Sequence, residues 1–312
     1  MNRLRQARLL SLVLSGFALA QAVSAQQQPL TRHFVTGTEE RYQVTLEIKS
    51  ESHSVMSETR ADKTYVSPRD LSAAARLRCI VWRKILSVEP SGSAQIEEKV
   101  TPAGPSCAEA VSRGSATDPA MRNALVDFCV EWSKGSTIRY SESPFGLQTD
   151  ATSLAIVPLG ESAPALLAPW LRRASRASVI LPDLPLAIGA SRQNALQPSN
   201  VQLQNAHGSE TTQWLEAQGD TPAATLHVVQ QLSWKSSPDA AKSGQSHART
   251  ARDEIFFADS LTTLSLVDSS VLRASRTASR TTTHPIDPVP GLPNPPDFSS
   301  KLTLTVAIER QP

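Results

Sequence analysis

Hydrophobic and polar residues alternate regularly near the C-terminal end of the chain, over residues 301–309. The apolar residues that share one face of this stretch are Leu302, Leu304, Val306 and Ile308. Successive side chains of a β-strand point to opposite faces, so this pattern predicts a strand from a sheet with one covered face and one wetter face.

The same alternation predicts further strands upstream. Arg41–Lys49 carries apolar residues at every second position, and residues 79–88 form a hairpin with Ala94–Val100 across a turn at Pro90–Ser93. Ser67–Asp70, which contains Pro68, predicts a turn. The later predicted strands are Asn200–Asn205, Ala224–Trp234, Glu254–Ala258, Leu261–Val267 and Val271–Thr283, the last two joined by a turn at Asp268–Ser270.

Two helices are predicted in the first part of the chain. Asp118 caps the first, over residues 118–134, and Pro119 occupies its first position, where a missing N–H costs nothing. Its apolar stripe consists of Met121, Leu125, Phe128 and Trp132. A second helix is predicted near residues 162–175, with Trp170 on its apolar side. These stripes indicate helices packed on the sheet, and the alternative is that the first forms a ligand wall.

Proline punctuates two segments that divide the chain. Val179–Ser191 is apolar and contains Pro182 and Pro185, which favour extended geometry, so it predicts a connector between halves 26–178 and 179–312. Residues 284–296 carry six prolines, and such a run is not expected within a β-ladder. We interpret it as a crossover or a lid that leads into the last strand.

These elements together predict a mainly β protein with a few helices. The strands form an antiparallel sheet, arranged either as a half-barrel or as two packed sheets, with helices covering one face. The length of 312 residues and an apolar fraction of 40% are sufficient for such a core.

The first 25 residues have the pattern of a secretory signal peptide. A basic start with Arg3, Arg5 and Arg8 precedes an apolar stretch over Leu9–Ala20, and small residues at 23 and 25 suit cleavage after Ala25. The apolar stretch is short for a membrane span, and no later stretch qualifies as a transmembrane segment. We therefore expect a periplasmic or secreted protein.

Charge excludes one class of partner. The formal net charge is +2, and loss of the three leader arginines lowers it to −1. A nearly neutral mature chain has no bulk attraction for nucleic acid or for an anionic membrane, so no nucleic-acid partner is expected.

Three cysteines, Cys79, Cys107 and Cys129, lie in the mature chain, where export permits a disulfide. Three pairings are possible, and we favour Cys107–Cys129 because Cys79 lies in an apolar strand, where a buried thiol is an ordinary core residue. No metal site is predicted, since no two cysteines lie close together in sequence and no histidine is near them.

No catalytic motif is recognisable. No two of the six histidines have a metal-binding spacing, no nucleophile elbow or phosphate-binding loop is present, and His227 is interpreted as a sheet residue. The acidic pairs Glu97-Glu98 and Asp253-Glu254 are predicted to point to opposite faces and to be solvated. We therefore expect no enzymatic activity and no cofactor.

Three arginines, Arg273, Arg276 and Arg280, lie along one predicted strand with Ser and Thr between them. One interpretation is contact with an anion or a lipid headgroup. The other is a charged edge strand that resists aggregation.

One segment carries a resemblance to a known group of proteins. Leu181–Ser191, with Pro182, Pro185 and Gly189, is similar to an "LP…P…vG.sW" segment of uncharacterised secreted bacterial proteins, although Arg192 stands at the tryptophan. That group resembles the lipoprotein-carrier half-barrels of the LolA and LppX type. The resemblance implies long antiparallel strands and a hydrophobic concave sheet.

The leader, the strands and this resemblance together predict an exported, non-enzymatic protein that binds an apolar ligand in the cell envelope, a lipid or a lipoprotein acyl chain. The alternative is a structural or protein-interaction module with an envelope protein as partner. The predicted ligand contacts are Trp132, Phe128, Trp170, Leu302, Leu304 and Arg276.

Overall fold

The computed structural model describes residues 29–60, 63–104, 111–112, 122–123, 126–127, 129–130, 134, 136–149, 177–196, 206–216, 222–236, 252–285 and 297–312. The strands within these residues are β1 Glu39–Arg60, β2 Lys63–Val88, β3 Ala94–Ala103, β4 Val111–Ser112, β5 Ser136–Glu142, β6 Ser191–Leu196, β7 His207–Glu216, β8 Ala223–Ser236, β9 Arg252–Ser265, β10 Val271–Pro285 and β11 Asp297–Arg310. All belong to one open antiparallel sheet, which confirms the predicted mainly β class. The described strands do not form the alternative of two packed sheets.

The first and last strands lie side by side in the middle of the sheet. The strand order is β5-β3-β2-β1-β11-β10-β9-β8-β7-β6, and β4 pairs with β2 beyond the end of β3. Val44 of β1 is opposite Ile308 of β11, and Leu46 is opposite Val306. The two predicted halves of the chain are therefore joined within one sheet.

One face of the sheet is apolar and covered. Along β1, Tyr42, Val44, Leu46 and Ile48 are buried while the residues between them are not, as the alternation predicts. Their neighbours Val81, Cys79, Leu77 and Ala75 on β2, and Ile308, Val306 and Leu304 on β11, are also buried, and together they form one large core cluster. Full burial of an aliphatic side chain of this size stabilises the fold by about 1.5–3 kcal/mol. We call this the inner face.

The outer face carries cross-strand ion pairs that match the register. Glu47 and Arg76 are directly opposite on β1 and β2, and their charged atoms are 3.1 Å apart. Similar pairs join Glu39 to Lys84 and Glu97 to Arg139. Exposed pairs add only about 0–1 kcal/mol each, but a shift of one residue would break them and expose the apolar face.

The β1–β2 hairpin is longer than the sequence pattern predicts. Ser54–Arg60 pairs with Lys63–Arg69, beyond the last contact of β1 with β11 at His53. The predicted turn at Ser67–Asp70 is therefore wrong, because these residues lie within β2. Pro68 fits there because the described strands pair with this part of β2 on one side only, so a missing N–H breaks no ladder.

The proline-rich segment joins neighbours in the sheet. β10 and β11 are hydrogen-bonded partners up to Pro285, which is opposite Asp297. The segment between them is thus the connection of a hairpin, and the predicted crossover is wrong. Its length hid this topology, since adjacent antiparallel strands usually have shorter connections.

Helix is nearly absent from the described residues. The helical ones lie between 122 and 130, within the first predicted helix. Of these, Cys129 is buried in the core cluster and Val126 packs against it. The second predicted helix, near 162–175, lies outside the described residues, so the covering role of both helices stays a prediction.

Candidate ligand-binding cavity

A cavity of about 400 Å³ lies between the inner face of the sheet and the segment Ser178–Pro182. Its lining includes Val228, Phe256, Ala258, Ser260, Arg276, Ala278, Leu304 and Val306 from the strands, with Val179 and Ile180 from the segment. The volume is within the usual range for small-molecule sites, and the lining is mostly apolar.

The cavity exists because the middle of the sheet carries small side chains. Ala278 of β10 is opposite Ala258 of β9, and the neighbouring inward position of β9 is Ser260. Larger buried residues flank this floor at its two ends. Phe256 of β9 lies at one end, and Leu226 of the neighbouring strand β8 lies at the other. Small residues between large ones leave a depression in the inner face.

The segment 177–186 covers the depression and is fixed at both ends. Ala177, Leu181 and Leu184 are buried in the core cluster. The N–H of Leu181 donates to the carbonyl oxygen of Phe145 at 2.8 Å. The backbone of this segment also packs directly against Gly146. A Cβ placed on Gly146 would lie 1.9 Å from the carbonyl oxygen of Val179.

Arg276 lies on the wall of the cavity and contacts its cover. It stands between Val306 and Ser260 in the register, and its Nη2 donates to the carbonyl oxygen of Ser178 at 2.7 Å. Burial lowers the pKa of the guanidinium to about 10, which leaves the group charged at neutral pH.

The polar end of the cavity is on the opposite side. Glu210 of β7 accepts a hydrogen bond from Gln230 Nε2 of β8 at 2.7 Å, and both line the cavity. Three strand spacings separate β7 from β10, so this pair is about 14 Å from the strand of Arg276. The cavity thus has an anionic and a cationic end with an apolar floor between them.

A buried ionic network anchors the cover to one end of the sheet. Arg83 donates to Glu40 at 3.0 Å and to Glu142 at 2.5 Å, and Arg32 donates to Glu142 at 2.8 Å. The Arg32 N–H also donates to the carbonyl oxygen of Pro144. The network therefore joins the N-terminal segment to the end of β5 and to the turn that contacts the cover.

Two tyrosines complete this network. Tyr42 donates to Glu40 at 3.0 Å, and Tyr140 donates to Glu98 at 3.1 Å. Burial and the nearby Glu40 carboxylate raise the pKa of Tyr42, so the phenol stays a donor. Burial raises the pKa of Glu40, but Arg83, Arg32 and the hydrogen bonds lower it more, and the net pKa is below its ordinary value.

The opposite end of the inner face has a smaller ionic cluster. Arg280 donates to both oxygens of Glu254, at 2.9 and 3.0 Å, and Thr282 donates to the same carboxylate at 2.6 Å. The Arg280 guanidinium also stacks over the ring of Trp234, with 6.0 Å between its carbon and the ring centre. The bidentate pair closes the inner face beyond the apolar floor.

The network and the cluster correct the prediction for the acidic pairs. The partners do point to opposite faces, with Glu97 bound to Arg139 outside and Asp253 near Lys235. The inward partners, Glu98 and Glu254, are buried, not solvated. Sequence reasoning missed them because their arginine and tyrosine partners lie on other strands. The sequence did contain one signal for their burial, because Glu98 and Glu254 each lie two positions from an apolar residue that is predicted to face the core.

The three arginines of β10 also need correction. β10 lies between β9 and β11, so the edge-strand interpretation is wrong. Arg276 and Arg280 point to the inner face, while Arg273 is exposed on the outer face and donates to Thr263 at 3.3 Å.

The predicted ligand contacts are only partly brought together. Arg276 and Leu304 both line the cavity. Leu302, one inward position further along β11, is half-buried and packs against the core cluster. Phe128, Trp132 and Trp170 lie outside the described residues, so their contacts stay predictions.

The structure agrees with the prediction that Cys79 is a buried core thiol. Cys79 is a free thiol buried in the core cluster, and burial raises its pKa to about 12. Cys129 is also buried, and Cys107 lies outside the described residues. The bridge between them stays a prediction.

The described residues hold little that resembles a catalytic or metal centre. His227 is on the outer face, where its Nε2 is 2.9 Å from the Asp259 carboxylate on the neighbouring strand. No group of three potential metal ligands occurs within the described part of the chain. That part also holds no helix with the length and apolar character needed to cross a membrane.

Comparison with known proteins does not place the chain in a family. No protein-family model matches it, and no curated protein does. Among solved structures, the InvG secretin β-barrel domain of the Salmonella SPI-1 injectisome is 12% identical with a TM-score of 0.11. The match covers 88% of this chain and 63% of the InvG chain. OccK7 (OpdD) of Pseudomonas aeruginosa is 8% identical with a TM-score of 0.12, over 88% and 100% of the two chains. Scores this low establish no shared fold.

Proposed function

We propose that this protein is an exported, non-enzymatic binding protein for an apolar ligand of the cell envelope, such as a lipid or a lipoprotein acyl chain. The observation that carries the proposal is the cavity over Ala258, Ser260 and Ala278. A sheet evolved only for stability would fill this position with larger side chains, because interiors are normally close-packed.

The form of the protein suits this role. A single open sheet with one apolar face is what a half-barrel requires, and the helix positions around Cys129 lie against that face. We propose that the helices near 118–134 and 162–175 complete the cover. The resemblance of Leu181–Ser191 to secreted proteins like the lipoprotein-carrier half-barrels points to the same function.

Export and oxidation are part of the proposal. The leader pattern of residues 1–25 supports a periplasmic or secreted location. With Cys79 a free buried thiol, Cys107 and Cys129 are left to pair, and we propose that they form a disulfide.

Native mass spectrometry tests the proposal. The mature protein is purified from periplasm without detergent, and its mass is measured before and after solvent extraction. We expect a lipid-sized adduct that extraction removes, and we expect less of it on Ala278→Leu, which fills the floor. A bare mass that stays unchanged after incubation with envelope lipids would overturn the proposal.

One observation favours a second candidate, a protein-interaction module of the envelope. Ile255, Phe257 and Leu261 lie along the outer face of β9, and 47%, 40% and 41% of their surfaces are exposed. An apolar stripe of this kind can mark an interaction surface. A pull-down with the ligand-free protein tests this function. Capture of a partner protein that is lost on Phe257→Ser would favour it.

A further inference from the structure

Ser178 belongs to the cavity wall and is held from two sides. It is buried, and it begins the stretch of the cover that lines the cavity. Its carbonyl oxygen accepts a hydrogen bond from Arg276 Nη2 at 2.7 Å, and its hydroxyl oxygen accepts one from Gln148 Nε2 at 2.9 Å. The first bond comes from the sheet and the second from the turn after β5, so Ser178 joins the two.

The turn after β5 gives Gln148 a fixed position. Gln148 forms a β-bridge with Glu142, and the N–H of Ser143 donates to the carbonyl oxygen of Leu147 at 2.8 Å. The Ser143 hydroxyl oxygen also accepts hydrogen bonds from the N–H groups of Phe145 and Leu147, at 3.3 and 3.1 Å. Serine hydroxyls that bind the backbone in this way stabilise a turn. Gln148 is therefore presented to the cover by a closed turn.

Glu142 orients the amide group of Gln148. Gln148 Nε2 is 3.4 Å from the Glu142 carboxylate, which is buried and accepts hydrogen bonds from Arg83 and Arg32. A carboxylate that accepts from two guanidinium groups is an acceptor only, so the amide nitrogen of Gln148 faces it. The same nitrogen donates to Ser178. One side chain thus connects the buried ionic network to the cavity wall.

We infer that Gln148 is a positioning residue for the cavity: it acts through Ser178 to hold the wall formed by residues 178–182 where a ligand contacts it. Gln148 is not itself among the lining residues. The inference rests on the proposed function, and it makes the affinity for a ligand depend on a contact outside the cavity.

The contact matters because the wall is thin at this point. Ile180 lines the cavity, and 47% of its surface is exposed to solvent. Ala177 and Leu181, on either side, are buried in the core cluster, so loosening at Ser178 is confined to the residues between them. A loosened wall must be ordered again when a ligand binds, and this entropy cost weakens binding.

A double-mutant cycle on the two partners tests the inference. Ser178→Ala removes the hydroxyl oxygen and keeps the carbonyl oxygen that binds Arg276, and Gln148→Met removes the amide group at similar length. Titration of ligand-free mature protein with N-phenylnaphthylamine, a neutral apolar fluorophore, gives each Kd. We expect each single variant to raise Kd about three- to tenfold, as for one neutral hydrogen bond. We expect the double variant to raise it no further, because both changes remove the same contact.

Hydrogen exchange of the ligand-free protein gives a readout that does not depend on binding. In Ser178→Ala we expect the amides of residues 178–181 to exchange at least about threefold faster, because the wall opens locally more often. The amides of Val44–Ile48 in β1 are expected to keep the wild-type rate. Mass spectrometry of peptic fragments measures both.

Thr225→Val is the matched control. It removes another hydrogen bond between neutral side chains, from the outer face, where Thr225 Oγ1 is 3.0 Å from Thr263 Oγ1. We expect this variant to leave both the Kd and the exchange of residues 178–181 unchanged. If Gln148→Met does not fold, Gln148→Asn, which draws the amide back from Ser178, replaces it in the cycle.

The outcomes separate this inference from the proposed function. Unchanged Kd in both single variants, or effects that multiply in the double variant, overturn the inference. Faster exchange of β1 together with the wall also overturns it, because the contact would then serve general stability. Absence of probe binding by the wild type overturns the proposed function and the role of Gln148 in binding, whereas faster exchange confined to residues 178–181 would still show that this contact holds the wall.

Discussion

The guanidinium of Arg83 donates a 2.5 Å hydrogen bond to the carboxylate of Glu142, although 59 residues separate them in the sequence. Both side chains are fully buried, and Arg83 also binds Glu40. The contact joins β2 to the end of β5, which leads to the turn beneath the cavity cover. A buried pair of this kind has consequences for stability, for pH dependence and for the position of the cover.

Removal of the shared cation is expected to be strongly destabilising. Arg83→Met leaves Glu40 and Glu142 buried with less compensation, and the expected loss is about 3–5 kcal/mol in the free energy of unfolding. Urea unfolding measures it. Arg139→Met, which breaks the exposed pair with Glu97, is the control and is expected to cost less than about 1 kcal/mol. Similar losses for both variants would contradict the structural role of the network.

Stability is expected to fall in acid through Glu40. Its pKa is lowered from 4.5 in the folded protein, so the unfolded chain binds more protons as the pH falls. The contribution of Glu40 is therefore present above pH 4.5 and is lost as the pH drops through the folded pKa.

Urea unfolding between pH 6 and pH 3 measures this effect. Glu40→Gln is expected to show a shallower fall in the free energy of unfolding over that range. Glu39→Gln, at the exposed neighbouring position, is expected to keep the wild-type slope. Equal slopes for the wild type and Glu40→Gln would rule out the assignment.

Filling the floor of the cavity is expected to weaken ligand binding and to leave the stability of the protein nearly unchanged. Ala278→Leu places three more carbon atoms in the cavity, so binding of an apolar fluorescent probe is expected to weaken about tenfold or more. Thermal unfolding is expected to change little, because the added atoms occupy empty space. Ala307→Leu, on the outer face of β11, is the control for binding. Unchanged probe binding by Ala278→Leu would place the ligand elsewhere.

Alanine substitutions at two glycines, Gly146 and Gly189, test how closely the cover packs. Gly146 and Gly189 have φ values of +80° and +85°, so alanine costs about 1–2 kcal/mol at either from backbone conformation alone. Only at Gly146 does the new Cβ meet the carbonyl oxygen of Val179, whereas nothing lies within 4 Å at Gly189. Gly146→Ala is therefore expected to lower the unfolding free energy by more than Gly189→Ala. Equal losses in urea unfolding would show that the cover does not pack closely there.

Thiol labelling tests the cysteine assignment. Burial and the raised pKa of Cys79 predict no reaction with iodoacetamide in the native protein. In denaturant without reductant we expect one label per chain, and after reduction three. Intact-mass spectrometry counts the labels. Three labels before reduction would disprove the Cys107–Cys129 disulfide.

Local alternation was sufficient to predict individual strands. Val44, Leu46 and Ile48 on β1 and Leu304, Val306 and Ile308 on β11 are buried as their period of two requires. The turn at Asp268–Ser270 was also predictable, because Asp268 accepts hydrogen bonds from Ser270 within the turn. These features depend on residues close together in the sequence.

Prediction failed where the neighbour of a residue decides its role. Arg280 appeared to belong to a charged edge strand, but β10 is internal and Arg280 pairs with Glu254. Pro68 appeared to begin a turn, but it lies in a ribbon that is paired on one side. Neither outcome follows from local pattern, because strand order is set by long-range pairing.

The sequence alone determined the strands that alternate regularly, such as β1 and β11, and which of their faces is apolar, since that follows from the alternation of side chains along an extended chain. The tertiary structure decided that β1 lies next to β11, that Arg83 neutralises Glu40 and Glu142, and that Ala258 and Ala278 meet to form the floor of a cavity. Small and charged residues have no fixed role in a local pattern. Their role depends on the side chains that other strands bring beside them.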